Sequence, residues 1–170
     1  MRRSVFATWL PLCAVLTLVT IPSMRAQSDP DLPASAQATA TRTASIRAAL
    51  TSLQILLEQT RTNHDSGAEA NTLAAIANSY SALHQQQRAV ESFQAALLIW
   101  RQLGNREHEA STLAHVGDVY REWGFPEQAN RHYRDALALF PATEKAGRGA
   151  TLNNLSLTYF SLNNRKKCVE

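Results

Sequence analysis

His115 and Asp118 stand three residues apart, a spacing that puts both side chains on one helical face where they could share a proton or a ligand. They come nearer to a reactive constellation than any other pair in the chain. A metal site wants a third and fourth ligand, and no Cys/His ligand spacing occurs. Glu107 and Glu109 flank His108 at a helix start, where acidic side chains favour the dipole without any further role. His64-Asp65 and His84 fall in connectors with no partner nearby. A nucleophile elbow and a Gly-rich phosphate loop are both missing. Cys168 fills a slot that is Ala elsewhere, so it reads as a small buried side chain rather than a reactive thiol. The expectation is a protein without catalytic, cofactor-binding or metal-binding residues, in which His115 and Asp118 make an ordinary surface hydrogen bond.

The elements that carry these residues repeat. Leu-x6-Tyr-x8-Ala occurs as Leu73–Tyr80–Ala89 and as Leu113–Tyr120–Ala129, and it begins again as Leu152–Tyr159 with Cys168 in the Ala slot. A period close to 40 residues marks a solenoid of identical supersecondary units. Ile46, Ala49, Leu50, Leu53, Leu56 and Leu57 form one apolar stripe, which predicts a capping helix over 44–62. Two full helix pairs follow at 67–105 and 106–145, and an incomplete third at 146–170. Small residues at Ala77, Gly117 and Ser156, and at Ala89 and Ala129, allow close helix approach. Phe93 and Tyr133 are placed to wedge between units. Gly104-Asn105 ends one helix, Pro126 starts another, and Pro141 closes it. The last half-unit is expected to leave an apolar face uncovered, as in a fragment of a longer chain or a surface that pairs with a partner.

These residues resemble the tetratricopeptide repeat. Leu113-x2-Val116-Gly117-x2-Tyr120, Ala129-x3-Tyr133-x2-Ala136 and Pro141 match eight slots of its motif. The long period is similar to the subgroup of kinesin light chains and bacterial CHAT-protease-associated arrays. The resemblance implies an all-α, right-handed solenoid of antiparallel helix pairs that binds proteins or peptides on its concave face. Carried over position by position, the candidate groove residues are Asn71, Asn78, Ser81, Ser111, Asp118, Arg121, Asn153 and Phe160. Asn78 and Asn153 could hold the backbone of an extended peptide, because an amide both donates and accepts. The Lys and Arg slots of the chaperone-tail carboxylate clamp hold Ala74, Ala150 and Asn154, so that subtype is set aside.

Charge argues against nucleic acid. Of the 17 Lys and Arg, Arg2, Arg3 and Arg25 lie in the first 26 residues; the remaining 14 balance 14 Asp and Glu. No concentrated positive surface remains to release phosphate counterions. Residues 1–26 have a basic start, an apolar run from Val5 to Ile21 and a small residue at Ala26, as an export signal does. An uncleaved membrane anchor is the rival reading, since the apolar run is about the shortest that spans a bilayer. Residues 27–43 read as a disordered Ala/Ser/Thr-rich linker. The expected function is an exported, periplasmic or secreted, non-catalytic scaffold for a protein or peptide partner. The alternatives are the sensing arm of a longer enzyme such as a CHAT-type peptidase, and a membrane-tethered assembly factor.

Overall fold

The computed structural model describes residues 33–167, which form six α-helices and no strands. They are α1 (Ala34–Thr62), α2 (Ser66–Ala82), α3 (Gln86–Gln102), α4 (Arg106–Trp123), α5 (Pro126–Leu139) and α6 (Lys145–Lys167). Each helix packs mainly on its chain neighbours, and α4 also touches α6. That is the nearest-neighbour logic of a solenoid. The expected signal segment, the start of the expected linker and Cys168 lie outside the described residues.

One turn geometry recurs at a fixed interval. His64, His84, Gly104 and Gly124 all have positive φ, at 56°, 56°, 65° and 90°. After each, the next amide bonds back to a carbonyl in the preceding helix: Asp65 to Thr60, Gln85 to Tyr80, Asn105 to Trp100 and Phe125 to Tyr120. This left-handed closure satisfies carbonyls that the helix end would otherwise orphan. Glycine adopts it freely; histidine tolerates it at some cost. Asp65 and Asn105 then cap α2 and α4, accepting from the amides of Ala68 and His108. Pro126 opens α5 as its first residue.

Packing follows the apolar stripes. One core cluster joins Val90, Phe93 and Leu97 of α3 to Leu113 and Val116 of α4 and to Ala136 and Phe140. A second joins Ala70 and Leu73 of α2 to Ala96 and Trp100 of α3, with Leu57 of α1 packed against it. Phe93 and Tyr133 are both 0% exposed, as wedges between helices must be. The junctions carry a matched pair of ion contacts. Arg61 Nε reaches Glu69 at 3.0 Å, and Arg101 Nε reaches Glu109 at 2.7 Å. The corresponding positions at the next junction hold Pro141 and Gly149, so that clasp cannot recur.

Two expectations change. Residues 34–43 belong to α1 rather than to a disordered linker. Extending an existing helix adds a hydrogen bond per residue without a new nucleation cost, so this Ala-rich stretch needs no apolar face of its own. Pro33 leads into it at φ −58°, and the Thr39 and Thr41 hydroxyls bond back to Ser35 and Gln37 carbonyls. The apolar stripe of α1 is also narrower than expected. Ile46, Leu50, Leu53 and Leu57 are half-buried, while Ala49 and Leu56 face solvent. At the far end α6 leaves Leu152, Tyr159 and Phe160 at 49%, 49% and 67% exposure.

Candidate functional site

The first helices of the pairs, α2, α4 and α6, line a concave recess of about 690 Å³, and the amino-terminal half of α1 forms one wall. Four of the eight expected groove residues meet there: Asn78, Ser81, Asp118 and Arg121. Asn71, Ser111, Asn153 and Phe160 do not line it. Asn71, Asn153 and Phe160 are exposed elsewhere on α2 and α6, and Ser111 is half-buried near the start of α4. The neighbour of Asn153, Asn154, takes the place in the recess expected of it.

Asp118 is the polar hub of this surface. Its Oδ1 accepts from the Tyr133 hydroxyl at 2.7 Å and from Asn154 Nδ2 at 2.8 Å. Helices α4, α5 and α6 are thereby tied through one carboxylate. Arg121 lies 3.9 Å from the same oxygen, and His115 Nδ1 lies 3.7 Å from Oδ2. The expected surface hydrogen bond between His115 and Asp118 is thus too long to be one. His115 instead lies over Phe93, ring centroids 6.0 Å apart.

The reach of Tyr133 depends on Gly117. A Cβ at that position would come within 2.5 Å of the Tyr133 ring, so only glycine lets the ring lie on α4 and aim its hydroxyl at Asp118. Burial opposes ionisation of Asp118, but His115, the Tyr133 hydroxyl and Arg121 outweigh it and hold the carboxyl below its ordinary range. The Tyr133 hydroxyl is pushed up by burial and by its bond to Asp118. It remains a donor and cannot serve as a base near neutrality. Asp118 is a structural anion rather than a proton carrier.

Two further acidic and hydroxyl groups are engaged across the recess. Ser81 Oγ donates to Glu122 at 3.2 Å, bridging α2 to α4, and Arg121 stands 3.8 Å from Glu122. Among the described residues no three His, Cys, Asp or Glu side chains come together as a metal site would require. The geometry suits recognition of an extended chain, with Asn78 exposed toward solvent.

Residues 68–142, which span α2 to α5, match the family model of the tetratricopeptide repeat. This part of the chain is a tetratricopeptide-repeat array. No curated protein matches the chain. Within the tetratricopeptide frame, α2 and α4 are first helices that face the recess, and α3 and α5 are second helices. Helices α1 and α6 lie largely outside the matched residues. Both nevertheless contribute to the recess, α1 through Thr39 to Arg47 and α6 through Asn154. Sequence reasoning missed the α1 wall because it sought large apolar residues there. The signal was present as Thr39, Arg42, Thr43, Ile46 and Arg47, an i, i+3, i+4, i+7, i+8 stripe of mixed polarity.

Proposed function

We propose that the protein is a non-catalytic scaffold that binds a protein or peptide segment in the concave recess. The observation that supports this reading is the recess itself, built on tetratricopeptide first helices with Asn78 open to solvent and no reaction centre assembled beside it. Tetratricopeptide repeats generally serve protein–protein interaction, and the units here have the long period of the kinesin light chain and CHAT-associated subgroup. The recess is also large enough to hold several residues of a partner.

Site-specific photocrosslinking tests the reading. A photoreactive side chain at Asn78 should trap a partner polypeptide, and one at the exposed Gln94 of the second-helix face should not. Trapping only from Gln94 would move the binding surface off the recess. We further propose export, on the basic and apolar pattern of residues 1–26. Exported protein should begin near Gln27 by amino-terminal sequencing. An intact Met1 in the membrane fraction would favour tethering. Among the described residues no helix is long and apolar enough to cross a membrane.

A further inference from the structure

Charge in the recess is not evenly spent. Its two acidic groups are engaged within the protein: Asp118 by Tyr133, Asn154 and Arg121, and Glu122 by Ser81 and Arg121. Its guanidinium groups are not all so engaged. Arg42 and Arg47 on α1 line the recess and are exposed, and among the described residues neither side chain meets an acidic group. An arginine wall thus faces an interior whose carboxylates are already neutralised.

The spacing of that wall sets a further condition. Arg42 and Arg47 are separated by five residues of helix, or about 7.5 Å along the axis. Alternate side chains of an extended strand project on one side about 6.6–6.8 Å apart. Two carboxylates at i and i+2 of an extended peptide therefore fall within reach of two guanidinium forks, which bind carboxylates bidentately. The Asn78 amide across the recess can donate to and accept from the peptide backbone between them.

We infer that the recess selects an acidic segment of a partner protein, of the pattern Glu-x-Glu or Asp-x-Asp, with Arg42 and Arg47 as its specificity residues. This rests on the concave-face reading above. The α1 wall, which lies outside the tetratricopeptide match, supplies the charge that the repeats themselves have consumed.

Fluorescence anisotropy with the full 170-residue chain tests the inference. The probes are short labelled peptides with two Glu, two Gln or two Lys separated by one Ala. The Glu peptide should bind about tenfold or more tighter than the Gln peptide, and more weakly as salt rises and the Debye length shortens. Arg42→Gln with Arg47→Gln should abolish that preference while far-UV circular dichroism and the melting temperature stay unchanged. Arg42→Glu with Arg47→Glu should turn the preference toward the Lys peptide. Equal binding of Glu and Gln peptides would overturn the inference, as would an unaltered preference in both double variants. Binding of anionic phosphatidylglycerol vesicles through Arg42 and Arg47, without binding of the Glu peptide, would also overturn it. Crosslinking from Asn78 does not depend on the charge of the peptide, so failure of the acidic preference and failure of concave-face binding are distinguishable.

Discussion

The α3/α4 junction and the α5/α6 junction occupy equivalent places in successive units, yet they are held by different forces. At α3/α4, Val90, Phe93 and Leu97 press on Leu113 and Val116, and the exposed Arg101–Glu109 contact closes the rim. At α5/α6 the buried contact is polar: Thr158 Oγ1 donates to Asn130 Oδ1, with the two residues 1% and 3% exposed. Arg148 caps the end of α5 by donating to the carbonyls of Leu137 and Phe140 at 3.4 and 3.3 Å. Asp118 adds its tie to Asn154. The first junction gains from area and tolerates adjustment. The second depends on matched donors and acceptors, each of which is costly if left alone. One helical period therefore accommodates two kinds of adhesion.

Truncating the apolar wedge should give the largest effect. Phe93→Ala is expected to cost about 3–5 kcal/mol, read as a fall in the denaturant midpoint. A loss smaller than that of Asn130→Ala would reverse the ranking of the two junctions. Gly117→Ala is expected to cost about 1–3 kcal/mol by driving Tyr133 off α4, and the Asp118 network should fail with it. An unchanged melting temperature would show that the ring has another resting place.

The polar junction calls for a cycle. Thr158→Val and Asn130→Leu should each cost about 1–3 kcal/mol because each strands a buried partner. The double variant should cost less than their sum, since both polar groups are then gone. Strict additivity would mean that the two side chains are not coupled.

Asp118 links the comparison to pH. Its carboxyl is held low in the folded state, so the stability it adds is complete above the ordinary carboxylate value of about 3.9 and is lost as the pH falls through the lower folded value. The stability gap between the protein and Asp118→Asn should therefore narrow on acidification. A gap independent of pH would remove the charge of Asp118 from the account. The smallest effect belongs to the rim. Arg101→Ala should cost under about 1 kcal/mol, because more than half of that side chain is exposed.

The apolar junction was legible in the sequence and the polar one was not. Phe93, Tyr133, Ala129 and Gly117 announce themselves because size and periodicity select them together. Asn130 and Thr158 look like surface residues until a neighbouring helix is placed over them. The candidate site was legible to a similar degree. Offsets on the first helices found Asn78, Ser81, Asp118 and Arg121 but took Asp118 for a solvated side chain. Its partners, Tyr133 and Asn154, come from two other helices and leave no mark at local spacing. The α1 wall escaped for the opposite reason: a helix extension needs no apolar pattern to persist.

The left-handed turns at His64, His84, Gly104 and Gly124 fall every 20 residues, and those at His64 and Gly104 are followed by the same cap, Asp65 and Asn105. Residues 65–104 consequently behave as a cassette whose two cut ends have matching backbone geometry. A copy spliced in after Gly104 would enter with its own cap and present Arg101 to the Glu69 of the inserted copy. The chain could thus be lengthened in whole cassettes without redesigning a joint, each addition extending the inner surface by one more pair of helices.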